Sequence, residues 1–90
     1  MAVMEIVTFR LQSEADEQDF LEADRQVQTD FAYRQPGILR RTTARGEHGD
    51  WVVVTLWDSH AAAESFAGLS APADIIDAAS VATARYTTLD

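Results

Sequence analysis

The 90-residue chain has no cysteine, no asparagine and no lysine, and only two prolines and four glycines. Without cysteine there are no disulfides, no thiolate metal sites and no cysteine nucleophile. The four glycines lie at 37, 46, 49 and 68, without the spacing of a phosphate-cradling loop. The two histidines, His48 and His60, are too far apart in sequence to share a helical face, so a metal site built from paired imidazoles is not expected. No apolar run approaches the roughly 18 residues of a membrane span, and the first eleven residues lack the basic start and long apolar core of a secretory signal. The expected location is the cytoplasm. Seven basic residues, all arginine, stand against 15 acidic ones for a net charge of -8, which repels phosphate backbones and anionic lipids. Neither nucleic acid nor membrane is an expected partner.

What is present is an ordinary globular composition, 47% hydrophobic and 24% charged. There is no linker, repeat or low-complexity tract, so residues 1–90 read as a single domain. A chain of this size buries only roughly 60 to 65% of its unfolded surface, and self-association would enlarge a marginal core. Val3 to Leu11 alternates with β-branched residues and reads as a strand. Ser13 is a candidate N-cap for a helix over about 14–34, with acidic residues in its first turn and Gln35-Pro36-Gly37 as its stop. Ile38 to Arg45 and Trp51 to Trp57 read as a β-hairpin about the glycine-containing GEHGD. A short helix from His60 to about Ala67 is capped by Asp58 or Ser59 and closed by Gly68. Ser70-Ala71-Pro72 allows a further helical turn with Ile75, Ile76 and Ala79 inward, and Val81 to Leu89 reads as a last strand.

The order βαββαβ is the ferredoxin-like pattern: an α+β fold with a four-stranded antiparallel sheet and both helices on one face. The other sheet face then needs water or a partner. In DWVVVTLWDSH (50–60), Val52, Val54 and Leu56 form one aliphatic face, and Trp51, Val53, Thr55 and Trp57 the other, so neither suits water. A homodimer with its sheets stacked, the dimeric α/β barrel, would bury the first face.

PGILRR (36–41), the glycine-containing hairpin and DWVVVTLWDS (50–59) resemble the core of the antibiotic biosynthesis monooxygenase superfamily. The resemblance implies a dimeric α/β barrel and a site between sheet and helices, lined by Trp57 at the end of its strand. It also implies activities that include cofactor-independent oxygenation of phenols, quinol oxygenation and haem degradation. The oxygenases of both kinds use an asparagine; this chain has none, and Val53 stands where the quinone-forming type would carry it. The haem-degrading type adds a histidine in or just after the second helix, where this chain has only His60, at the helix start.

Asp24 is the most informative polar residue. At 100° per residue it falls among Phe20, Val27 and Phe31 on the buried stripe of the first helix. Desolvation there disfavours the charged carboxylate, which makes Asp24 a candidate base for a phenol or hydroquinone. Alternatively it is satisfied by Gln28 one turn on, or by an arginine from the sheet. Arg40 and Arg41 point to opposite faces of one strand, and either could hold an anionic substrate oxygen. Glu5 shares a face with Val7 and Phe9 and either enters the same cavity or lies exposed at a frayed strand start. Trp51 is expected to pack under a loop, and Tyr86 in the sheet. His48 is expected to be solvated and His60 to lie on the surface.

The expected ligand is small and hydrophobic or aromatic, with no cofactor and no metal. Asp24 and Trp57 are the candidate catalytic residues; Phe20, Val27, Phe31, Arg41, Val53 and Thr55 are the candidate substrate contacts. A cofactor-independent monooxygenase-like protein for a phenolic or polyketide-like molecule is the first reading. A non-catalytic ligand-binding barrel and an isomerase or cyclase on the same scaffold are the alternatives.

Overall fold

A computed structural model describes residues 1–65 and 74–89. Strand β1 (Val3–Arg10), helix α1 (Glu17–Gln26), strands β2 (Ile38–Arg45) and β3 (Asp50–Trp57), helix α2 (His60–Ser65) and strand β4 (Ala82–Thr87) follow in the expected order. The sheet order is β2-β3-β1-β4 with every neighbouring pair antiparallel, which is the ferredoxin-like topology. Among the described residues no helix is long and apolar enough to cross a membrane. The expected end of the second helix at 66–67, Gly68 and the segment 70–72 lie outside the described residues.

Strict alternation makes the two central strands two-sided. Val3, Glu5, Val7 and Phe9 of β1 and Trp51, Val53, Thr55 and Trp57 of β3 are buried on the helix side. Val52, Val54 and Leu56, opposite Thr8, Ile6 and Met4, are half-buried on the outer side. The helix-side core divides into two apolar clusters. One joins Val7, Phe9, Phe20, Trp51, Val53 and Ile76. In it Phe20 packs its ring at 4.7 Å from Trp51 and 5.6 Å from Phe9, within the range of favourable tilted aromatic pairs. Trp51 therefore anchors this core beneath α1 rather than packing under a loop. The second cluster joins Val3, Trp57 and Ala63, with Ile38 and Ala62 against it.

Helix α1 starts later than Ser13. Asp16 caps it, its carboxylate accepting from the Gln18 amide at 2.8 Å, and Glu17 and Asp19 follow in the favourable first turn. After Gln26 the helix widens into a π turn over Val27–Phe31 and then tightens into a 3-10 turn over Ala32–Arg34. A π turn takes an extra residue per turn and so rotates the residues beyond it about the helix axis. Phe31, placed on the buried stripe by α-helical spacing, is 55% exposed, and Ala32 takes the inward position at 0%. Gly37 then passes α2 so closely that a Cβ there would collide with that of Ala62.

Two further expectations are corrected. Ala79 is exposed, in a 3-10 turn (Ala78–Ser80) held by Asp77, while Ile76 is buried and bridges Leu11 of the chain leaving β1. The last strand is shorter than Val81 to Leu89, and both of those residues are exposed. A one-residue register shift at Leu39 matters more. Ile38 lies opposite Trp57 but Arg40 lies opposite Leu56, so Leu39 is the extra residue of a β-bulge. Beyond the bulge the alternation of β2 is inverted, turning Arg41, Thr43 and Arg45 to the helix side and Arg40 outward.

Candidate functional site

The bulge brings Arg41 level with Thr55 on β3, and the register continues from Thr55 to Glu5 on β1 and Arg85 on β4. These four residues form one polar row across the helix side of the sheet, at the level between the two apolar clusters. Arg41, Thr55 and Glu5 are 3%, 2% and 4% exposed. Burying such groups is costly unless they are paired, so the pairing shows how the row is built.

At the β2 end, Arg41 Nη2 donates to Asp24 Oδ1 at 2.7 Å and the Thr43 hydroxyl donates to Asp24 Oδ2 at 2.7 Å. Arg41 Nη1 also donates to Gln28 Oε1 at 3.3 Å. The strand itself is pinned at this point, because the Tyr33 hydroxyl donates to the Arg41 carbonyl at 3.2 Å and accepts from its amide at 3.3 Å. The helix supplies Asp24 and Gln28 one turn apart and the inverted strand supplies Arg41 and Thr43 two residues apart, so four side chains converge from two elements. A cleft of about 400 Å³ opens beside them, between α1 and β2, with Leu21, Asp24, Gln28, Arg41 and Thr43 in its walls. At the other end Arg85 Nε donates to Glu5 Oε2 at 2.9 Å. No group of three or more potential metal-ligating side chains occurs among the described residues.

Asp24 is thus a buried carboxylate satisfied by an arginine from the sheet, with both of its oxygens engaged. Thr55 lies next to Arg41 in the row. Phe20 and Val53 are core residues of the first cluster, each 0% exposed, and Val27 is half-buried in the π turn. Trp57 is 1% exposed in the second cluster and, among the described residues, does not belong to the lining of the Asp24 cleft. Phe31 faces solvent. Arg40 and His48 are exposed, and Tyr86 is 58% exposed on the outer face. His60 is exposed with Nε2 3.5 Å from the Thr87 hydroxyl.

Glu5 enters the buried row, as one of its two sequence readings expected. Thr43 and Arg85 were not singled out from the sequence. Thr43 carried a signal, since it shares a strand face with Arg41; Arg85 carried none, because its partner is 80 residues away.

No protein-family model matches the chain. No curated protein matches it by sequence. Solved structures do. An asparagine-to-alanine variant of SnoaB, a cofactor-independent oxygenase from Streptomyces nogalater, is similar over 99% of this chain and 94% of that one, at 19% identity and a TM-score of 0.74. A protein from Nitrosomonas europaea, provisionally named an antibiotic biosynthesis monooxygenase, is similar over 98% of this chain and 90% of that one, at 18% identity and a TM-score of 0.77. A dimeric protein of unknown function and ferredoxin-like fold from Bacteroides fragilis is similar over 97% and 96% of the two chains, at 15% identity and a TM-score of 0.69. At these identities the likeness establishes the fold: this chain has the ferredoxin-like architecture of the antibiotic biosynthesis monooxygenase-like structures, the one its PGILRR and DWVVVTLWDS segments resemble.

Proposed function

We propose that this chain is a homodimeric, cofactor-independent oxygenase of a small hydrophobic phenolic or polyketide-like molecule, working in the cytoplasm. The observation that carries the reading is the buried Arg41 guanidinium, held by Asp24 beside a cleft at the level where the two apolar clusters meet. A few convergent polar groups beside a cleft fix the orientation of a small molecule, with Leu21 as the apolar part of this lining. The fold shared with a cofactor-independent oxygenase supports the reaction class. The half-buried outer face of Met4, Ile6, Val52, Val54 and Leu56 supports stacking of two sheets, as does the dimeric neighbour.

In this reading Arg41 is the fixed charge that holds the substrate anion, and Asp24 is the positioning residue that orients the guanidinium. Both Asp24 oxygens are already committed, one to Arg41 and one to Thr43. Deprotonation makes the ring system electron-rich enough to reduce dioxygen directly. Substrate carbon and dioxygen combine as a hydroperoxide, and loss of water leaves the carbonyl of a quinone. Leu21 and Thr43 supply contacts in the cleft, and Thr55 is buried beside Arg41 in the row. Trp57 shapes the core behind the row.

Oxygen uptake with naphthols, anthrones and quinols tests the reading. The parent is expected to consume one dioxygen per quinone formed. A folded Arg41→Met protein is expected to lose at least about a hundredfold in rate, the scale of one preorganised charge contact. Equal rates in parent and Arg41→Met would end the assignment of Arg41. Conversion that persists under nitrogen would establish an isomerase or cyclase instead.

The missing asparagine favours a second reading, a non-catalytic ligand-binding barrel. It predicts saturable quenching of tryptophan fluorescence by the same compounds with no oxygen consumed.

A further inference from the structure

The helix-side acceptors in the walls of the α1–β2 cleft are already engaged. Asp24 Oδ1 and Oδ2 take hydrogen bonds from Arg41 and Thr43, and Gln28 Oε1 takes one from Arg41 Nη1 at 3.3 Å. The Thr43 hydroxyl, which donates to Asp24, also accepts from Arg41 Nη1 at 3.5 Å. What the walls still offer is a donor. An arginine can only donate, so the end of the Gln28 carboxamide that faces Arg41 is its oxygen, and the NH2 group is turned the other way. That Nε2 makes no hydrogen bond to any described residue and is accessible in the cleft wall.

Arg41 needs such a donor beside it to hold an anion. Its Nη2 lies 2.7 Å from Asp24 Oδ1, so the carboxylate offsets much of its charge, and an entering oxyanion adds a negative charge to a pair that is already neutral. A hydrogen bond made to the charged form of a ligand compensates for this. Arg25 is poorly placed to give it, being 72% exposed at the rim and paired with Glu22, where solvent screens it. Gln28 is half-buried, one turn beyond Asp24, and lies within the π turn Val27–Phe31. Such turns are rare and recur at functional sites. Arg41 Nη1 and Gln28 Nε2 flank one hydrogen bond, so a single oxygen lying against it can accept from both.

We infer that Gln28 is the specificity-determining donor of this cleft: its NH2 group joins the Arg41 guanidinium on one ligand oxygen and selects the ionised form of a fused-ring phenol over the neutral form. The inference rests on the oxygenase reading for its ligand class and concerns binding, before dioxygen takes part. A neutral phenol brings an O–H donor to walls whose helix-side acceptors are already engaged. The phenolate brings only acceptor lone pairs and meets two donors. Its proton passes to solvent, the bonding pair stays on the ring oxygen, and the Arg41–Asp24 pair stays intact.

The test separates binding from oxygenation. Absorbance titration of 2-naphthol against pH, under nitrogen and with protein in excess, reads the ionisation of the bound phenol without turnover. The parent is expected to bind the anion at least about tenfold tighter than the neutral phenol, so that ionisation moves to lower pH, a tenfold preference being the scale of one hydrogen bond to a charged group. Gln28→Met, shown to be folded by thermal unfolding, is expected to lose about tenfold of that preference while binding the neutral phenol as the parent does. In amide NMR spectra of isotopically labelled parent, the Gln28 NH2 signals are identified by their absence from Gln28→Met. They are expected to shift on adding 2-naphtholate and to stay in place on adding naphthalene, the same ring system without the oxygen. A residue that only braced Arg41 would respond to both alike. That result, a folded Gln28→Met protein with the parent's preference, or a parent with no preference would overturn the inference. A parent that consumes dioxygen while showing no preference keeps the oxygenase reading and ends this inference alone. The preference and the NH2 shift without oxygen uptake in air would end the oxygenase reading and leave Gln28 as the donor of a binding site.

Discussion

Arg41 and Asp24 are 17 residues apart in sequence, yet Nη2 of one donates to Oδ1 of the other at 2.7 Å, with side chains 0% and 9% exposed. The pair ties the inverted half of β2 to the last turn of α1. Such a pair in a 90-residue domain is a specification of which strand residue faces the helix, more than a source of net stability.

Removing one partner strands the other charge. Asp24→Ala is expected to destabilise the fold by about 3–5 kcal/mol. In a domain of this size each kcal/mol moves the thermal midpoint by roughly 4–8 °C. The double variant Asp24→Leu with Arg41→Met, apolar on both sides, is expected to recover most of that loss. Urea unfolding of the single and double variants reads the difference; a double variant as unstable as Asp24→Ala would mean that the pair contributes net stability.

The π turn separates two phenylalanines that α-helical spacing places on one stripe. Phe20 is fully buried between Phe9 and Trp51, so Phe20→Ala is expected to cost about 3–5 kcal/mol. Phe31 is 55% exposed, so Phe31→Ala is expected to stay within about 0.5 kcal/mol of the parent. Similar losses for both would place Phe31 in the core and remove the π turn.

The outer sheet face carries the proposed dimer. Val54 lies at its centre, half-buried, opposite Ile6 on one side and Thr42 on the other. Placing a lysine there puts a charge between two apolar sheets, so Val54→Lys is expected to sediment as a monomer where the parent sediments as a dimer. A parent that sediments as a monomer at micromolar concentration, or a Val54→Lys protein that still dimerises, would move the interface elsewhere.

Much of the fold was legible because it rests on local periodicity. Strict alternation in β1 and β3 set their faces, and the Gln35-Pro36-Gly37 stop and the glycine hairpin set the element order. The site was legible in part. Asp24 announced itself as a carboxylate on an apolar stripe, and the arginine partner was one of the readings that position allowed. Glu5 read equally well as a frayed strand end, because its burial depends on what β3 and α2 bring over it.

By itself, then, the sequence determined the βαββαβ order, the two-sided character of DWVVVTLW and the presence of a carboxylate on the helix stripe. All three are written in residue spacing within single elements. Only the tertiary structure decided which polar groups meet. The bulge at Leu39 turns Arg41 inward and Arg40 outward, a one-residue slip that reverses every later side chain of β2. The π turn gives Ala32 the place that spacing assigned to Phe31. The Glu5–Arg85 pair forms across 80 residues, where strand register alone sets the partner. Bulges, π turns and register are resolved by packing between elements, so no periodicity within one element contains them.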